Sequence, residues 1–376
     1  MYEDRILNES KFLKIREFFS PNNSSWIVFG VIILAGIIAR IFLWDFTSTD
    51  IFVWKDAAEL FLNGENPYQT TLESFQVEGI KHFYAYFPLW MYFSSLILLV
   101  FPETWFFGVT KGFILLFDIL IVILFYAILE KKVSNVWRLK IPIAIWFVTP
   151  MVIMTGAMHG KFDSLMFVFI LLACIFHEEK IYLLEGVFLS LSVLTKPIAL
   201  IIVPFFFIRD IRERDFSSLF TKIAALFALV TLFSIPFLDD PFLYLQGALG
   251  VHVTREQDLG LIFALLSMIF TSPNAEPVIR ICLTVIIVVV WLSVIILAYI
   301  KEFDIYKSIF LAFVGFNVFY WVFLIQYAVW IYTFYITYTT KNEKMKHWHL
   351  MTSTSVIIVV STVALALLGT FVKHGL

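Results

Sequence analysis

The sequence predicts an all-α polytopic membrane protein with about eleven transmembrane helices and additional re-entrant or juxtamembrane helices. Three observations lead there. Of 376 residues, 61% are hydrophobic and 15% charged, with a mean hydropathy of +0.90, whereas soluble domains are about half apolar and about a quarter charged. The chain also reads as a series of apolar runs of a length suited to a hydrocarbon layer about 30 Å thick. Finally, its basic residues gather in short loops that can share one side of a membrane, as cytoplasmic loops do.

Residues 1–25 are polar and of mixed charge, so they predict a cytosolic segment rather than a cleavable signal. Within them "KFLKIREFF" suits a short amphipathic helix. The run from Trp26 to Trp44 is long enough to span and acts as a signal anchor. Further runs follow at 86–101, 104–129, 141–158, 162–177, 181–208, 216–235, 260–272, 276–300, 305–323, 325–340 and 350–372. The basic clusters at 11–16, 131–140, 209–214, 301–307 and 341–346 share one side on three conditions. Runs 86–101 and 260–272 must not cross, and 181–208 must break at "TKP" into two crossings. Pro197 disfavours helix at Lys196 and removes a donor, which makes the break physically reasonable. Residues 26–376 then form a single transmembrane domain, with a long extracytoplasmic first loop at 45–85.

Composition excludes several function classes. A net charge of −2 gives no reason to expect nucleic acid. Cys174 and Cys282 both sit in apolar runs and read as buried packing residues, not as a disulfide or zinc framework. The 43 phenylalanines read as lipid-facing side chains and interface anchors. No phosphate-cradling glycine loop with lysine, HExxH pair or GxSxG elbow is present.

What remains polar and not basic collects on the extracytoplasmic face. Loop 45–85 carries seven acids against two lysines. Asp45, Asp50 and Asp56 follow the first span, and one of them can serve as a general base at the bilayer edge. Residues 56–63 predict a short amphipathic helix with Ala57, Leu60 and Phe61 on one face, stopped by Gly64 and the Asn66–Pro67 turn. "YAYFPLWMYF" at 84–93 suits a re-entrant helix packed against the first span. "MHGKFDSLMF" at 158–167 crowds His159, Lys161 and Asp163 around a Gly160 hinge, facing the same cavity as Asp50. In "GVHVTREQDLG" at 250–260, His252 and Arg255 suit a phosphate clamp, because guanidinium binds phosphate through two parallel hydrogen bonds. Lys196, at membrane depth, is costly unless it meets water or an anion. An acid and several phosphate-seeking cations at one membrane boundary fit transfer from a lipid phosphate to a hydroxyl. Two other readings stand beside it: a transporter or flippase of a lipid-linked molecule, and a non-catalytic subunit that keeps the fold. Transporters carry internal repeats and midplane sites, and no repeat is found here.

These segments resemble the GT-C superfamily of polyprenyl-phosphate-sugar-dependent glycosyltransferases, in particular the catalytic subunit of the first mannosyltransferase of GPI-anchor synthesis and its prokaryotic relatives. "TDIFVWKDAAELFLNGENPY" is similar to that family's first-loop pattern, and "HVTREQD" to its histidine-threonine-arginine-aspartate stretch. "FN" at 316–317 and "QYAVWIY" at 326–332 resemble its asparagine and glutamine-tyrosine segments. "GKFDS" and "GVFLSLSVLTKP" resemble the wider superfamily's acid turn and its glycine-to-lysine helix. The likeness runs over roughly residues 40 to 340. It implies a GT-C-like fold and an inverting hexosyl transfer, with mannose the expected sugar, at the extracytoplasmic or lumenal face of a multi-pass protein. The host membrane would be the cell membrane, or the endoplasmic reticulum in a eukaryote. Asp50 is the implied base, while Arg255, His252 and Lys196 contact the donor phosphate. Gln326 and Tyr327 line the donor sugar pocket, with Asp56, His159, Lys161 and Asp163 nearby. The implied partners are a polyprenyl- or dolichyl-phosphate sugar, a lipid-linked or glycan acceptor, membrane lipids and a small membrane subunit. Ser48 stands where the family has the first of two acids, which argues against a chelated metal, and no cofactor is required.

Overall fold

A computed structural model describes residues 24–46, 48–76, 84–133, 136–250, 252, 261–270, 275–320 and 325–341. Arg255, residues 1–23 of the expected cytosolic segment, and the terminal run 350–372 lie outside the described residues. Every regular element among those described is helical, as lipid demands of backbone that must satisfy its own hydrogen bonds. In chain order these are α1 Ser24–Phe42, α2 Thr49–Leu62, α3 Pro67–Gln76, α4 Leu89–Val100, α5 Phe106–Glu130, α6 Val136–Val148, α7 Pro150–Ile153 and α8 Asp163–Glu178. They continue with α9 Tyr182–Thr195, α10 Val203–Glu213, α11 Phe216–Ser234, α12 Pro241–Leu245, α13 Leu261–Ile269, α14 Ala275–Lys301, α15 Ile305–Phe319 and α16 Ile325–Lys341.

Among the described residues, four helices are long and apolar enough to cross a membrane: Ser25–Phe42, Glu103–Glu130, Phe216–Phe237 and Ala275–Lys301. The pair Leu139–Val148 and Pro150–Met158, bent by 49°, forms a fifth, broken span. The bend follows from Pro150, which removes a backbone donor between the two halves.

Polar pins identify which helix ends share a face. Lys222 Nζ lies 2.6 Å from Glu185 and 2.7 Å from Asp210, all three buried. The start of α9, the end of α10 and the start of α11 therefore meet on one face, hereafter the opposite face. Lys196 sits at the other end of α9, its backbone extended at φ −144°, ψ 129°, and Pro197 opens a short 3-10 turn leading into α10. The expected break at "TKP" is present, and both halves return to the opposite face. With 14 residues, α9 is about 21 Å long against a hydrocarbon layer of about 30 Å. A helix of that length starting at one membrane boundary would hold Lys196 at membrane depth.

The face that carries Lys196 also carries α2, α3, α4 and α12. Run 86–101 forms the twelve-residue α4, which begins beside buried Tyr84 and ends just before Glu103, which pairs with Lys55 of α2. It lies along α2, with Trp54 and Trp90 edge to face at 5.8 Å, rather than against the first span as expected. The described residues of α13 number nine.

Two further expectations are corrected. The first-loop helix starts at Thr49, well before residue 56, and buries Ile51, Trp54, Ala57 and Ala58; Leu60 and Phe61 are only half-buried. A helix seated on protein presents the stripe at i, i+3 and i+7 from Ile51, and the expected stripe began too late to include it. Cys282 is exposed on the apolar outer side of α14, whereas Cys174 is buried as expected.

Beneath the site, Arg40 Nε meets Asp118 Oδ2 at 3.0 Å, and both side chains are buried. Arg40 Nη1 also donates to the Phe147 carbonyl at 2.9 Å, and Ser164 Oγ donates to Asp118. This cluster fastens α1, α5, α6 and α8 together below the turn that holds the functional side chains.

Candidate functional site

The site grows out of the turn between α7 and α8. The turn closes with a wide hydrogen bond, His159 N–H to the Met154 carbonyl at 2.8 Å, which inserts a π turn of the kind frequent at functional sites. Gly160 follows at φ +62°, and a Cβ there would lie 3.0 Å from Ile51 Cδ1, so both conformation and space favour glycine. Ser48 Oγ donates to the His159 carbonyl at 2.7 Å, tying the start of α2 to this turn.

Beyond Gly160 the chain sends charges in two directions. Lys161 Nζ reaches back to α2 and pairs with Asp50 Oδ2 at 2.9 Å; the Asp50 side chain is 38% exposed. Asp163, in the first turn of α8, faces inward and is buried. It accepts from Lys196 Nζ at 2.8 Å through Oδ2 and from Trp330 Nε1 at 2.7 Å through Oδ1. The carboxylate compensates the ammonium for the hydration it loses on burial. The Phe162 and Tyr86 rings stand 4.9 and 5.4 Å from Lys196 Nζ and present their π faces to it. Among the described residues Lys196 Nζ makes one hydrogen bond, and an ammonium has three donors.

Lys196 opens onto a cavity of about 250 Å³ lined by aromatic and aliphatic side chains, with Tyr86, Tyr320, Tyr327 and Trp330 as its ring walls. Tyr327 and Trp330 pack with ring centres 4.4 Å apart. His252 Nε2 lies 2.7 Å from the Ala85 carbonyl and so carries the proton there, while the His252 carbonyl accepts from Tyr320 Oη at 3.1 Å. Gln326 lines the cavity at 4% exposure, and its Oε1 makes no hydrogen bond among the described residues. A buried, unsatisfied amide oxygen is costly, and a hydroxyl-bearing ligand would satisfy it.

Four expected residues thus converge on one cavity: Lys196, His252, Gln326 and Tyr327. Asp163 stands behind the lining as the support of Lys196. Asp50 and Lys161 form a pair beside it, close enough for both charges to act on Lys196. Burial, with the Lys161 ammonium nearby, pushes the His159 imidazole below its usual value, opposed by Asp50. Asp56 is half-buried on α2 and does not line the cavity. Sequence reasoning passed over Trp330, although it lies four residues from Gln326 and hence on the same helical face. Tyr86 and Tyr320 were also passed over, and interface aromatics are too common for either to stand out.

Residues 86–304, more than half of the chain, match the family model described as Glycosyltransferase family 87. The chain belongs to glycosyltransferase family 87. That family 87 membership gives a GT-C-type classification and sets aside the carrier reading of the sequence. The chain is also similar to GPI mannosyltransferase 1 of Saccharomyces cerevisiae (strain ATCC 204508 / S288c), 26% identical over 216 residues, covering 53% of this chain and 49% of that protein. The chain spans about half the length of the curated relative it matches. The family 87 match includes Tyr86, Asp163, Lys196 and His252, while Asp50, Gln326, Tyr327 and Trp330 fall outside it.

Proposed function

We propose that this family 87 protein moves a mannosyl group from a polyprenyl- or dolichyl-phosphate sugar to a hydroxyl of a lipid-linked or glycan acceptor, on the extracytoplasmic face and with inversion. The observation that carries the reading is Lys196: an ammonium at membrane depth, backed by Asp163, with donors to spare and an apolar cavity before it. A water-borne nucleotide sugar would have little reason to enter such a place, whereas a phosphate carried on a lipid chain brings both the anion and the apolar tail. The unsatisfied oxygen of Gln326 and the rings of Tyr327 and Trp330 suit a sugar, which offers hydroxyls at its edges and C–H groups on its faces.

The acceptor oxygen attacks the anomeric carbon from the side opposite the phosphate. As that C–O bond forms, the bond from carbon to phosphate oxygen breaks and its electron pair leaves with the phosphate. Asp50 takes the acceptor proton, and Lys196 and His252 stabilise the charge growing on the departing group. Arg255, outside the described residues, is assigned to the same phosphate on its sequence context. No metal is needed for this displacement.

The test is transfer by the full chain in vesicles given either polyprenyl-phosphate [³H]mannose or the radiolabelled nucleotide sugar, with membrane glycolipid as acceptor. Label should move from the lipid donor and not from the nucleotide. Asp50→Asn should lower transfer by about 10² to 10⁴ while leaving donor binding intact. Transfer from the nucleotide sugar would overturn the donor assignment, and an active Asp50→Asn protein would overturn the base.

A further inference from the structure

On the opposite face, where α10 meets the turn between α14 and α15, lies a second cavity of about 250 Å³. Its lining is charged in both senses: Arg209 and Arg212 against Glu178, Glu302 and Asp304, with Ser308 between. Arg209 donates through Nη1 to the His177 carbonyl, yet its Nε and Nη2, buried, make no hydrogen bond among the described residues. Their nearest carboxylate oxygens, on Asp210 and Glu185, stand off at 3.9 and 3.8 Å. Glu185 and Asp210 are instead held close by Lys222. Arg212 and Glu302 face each other at 3.7 Å and remain partly exposed.

This charged cavity continues into an apolar groove of about 420 Å³ between α10 and α14, and Ile208 belongs to both. The groove is walled by Pro204, Phe207, Ile211, Ile295, Ile296 and Ile300, with almost no polar surface. We infer that the two together hold one amine-bearing phospholipid, its head group in the charged cavity and an acyl chain in the groove. The partly exposed Arg212 guanidinium, with the Arg209 charge buried behind it, favours a phosphate. Glu178 also pairs with Lys132 at 3.7 Å, and Asp304 Oδ1 caps α15, accepting from the Tyr306 and Lys307 N–H groups. The negative charge of Glu302 and Asp304 at the cavity would still repel a lipid that is only anionic, and it favours a positive group that can donate hydrogen bonds. A primary ammonium does so, and a trimethylammonium has no N–H to give. The same acids exclude a free phosphate or nucleotide, which would also leave the groove uncovered. This site lies across the membrane from the transfer cavity and uses none of its residues.

Native mass spectrometry of the purified full-length chain tests it, with phosphatidylethanolamine, phosphatidylcholine and phosphatidylglycerol added in turn. One phosphatidylethanolamine should be retained about tenfold better than either of the others, the size expected from one charged hydrogen bond. Arg212→Ala with Glu302→Gln, both partly exposed positions, should erase that preference with no change in the thermal transition. Ile296→Trp, which fills the groove, should reduce retention of all three lipids. Equal retention of the three by the unaltered chain would overturn the inference, as would a preference indifferent to the Arg212 and Glu302 changes.

Discussion

Lys196 and Asp163 depend on each other, because each is buried and each carries a charge that water cannot reach. Removing one partner of such a pair costs about 3 to 5 kcal/mol, whereas replacing both by neutral groups of similar volume is often neutral or stabilising. Asp163→Asn should therefore lower the thermal transition markedly, and Asp163→Asn with Lys196→Met should restore most of it. Transfer should stay lost in the double variant, since the ammonium that meets the phosphate is gone. Recovery of transfer along with stability, measured on the same preparations, would reduce the pair to a structural role. Trp330 belongs with these two: its indole N–H holds the second carboxylate oxygen while its ring walls the cavity.

Among the elements, the α9–α10 hairpin shows how far local sequence reaches. Its break was legible because proline removes a donor and a lysine inside a run of apolar residues needs a reason. The partner of that lysine was not legible as such: Asp163 had been grouped with Lys161 in one turn, and only the fold turns Lys161 toward Asp50 and Asp163 toward Lys196. The expected Asn66–Pro67 turn leads into α3, whose start Asn66 Oδ1 caps by accepting from Tyr68 N at 3.0 Å. The hairpin is closed at its base by Lys222, held between Glu185 and Asp210 and hydrogen-bonded to the Phe206 carbonyl at 3.0 Å. Lys222→Met leaves buried Asp210 with only a distant guanidinium and buried Glu185 with only the His177 imidazole close by, at 2.8 Å, so it should cost about 3 to 5 kcal/mol. Because α9 carries Lys196 at its other end, the loss should appear as a lower transition temperature together with weaker transfer. A transition temperature unchanged from that of the unaltered chain would mean that the hairpin does not rely on this knot.

At the scale of the whole molecule, one face carries the aromatic cavity and the other the charge knot, and the basic loops predict which of them meets the cytoplasm. Cysteines at Glu73 and Gln246, both exposed on the site face, should react with an impermeant thiol reagent in intact cells. A cysteine at Glu302, on the opposite face, should react only after permeabilisation. Labelling in the reverse order would invert the orientation and place transfer in the cytoplasm. The central claim is narrower, that the phosphate of a lipid-borne sugar is bound by Lys196. Its most direct test is equilibrium binding of polyprenyl-phosphate mannose, without acceptor, to the detergent-solubilised chain and to the folded Asp163→Asn, Lys196→Met variant. Loss of a charged contact worth about 2 to 5 kcal/mol predicts binding weaker by roughly thirty-fold to several thousand-fold in the variant. Equal binding to both proteins, with transfer lost only in the variant, would contradict it and assign the ammonium to the acceptor.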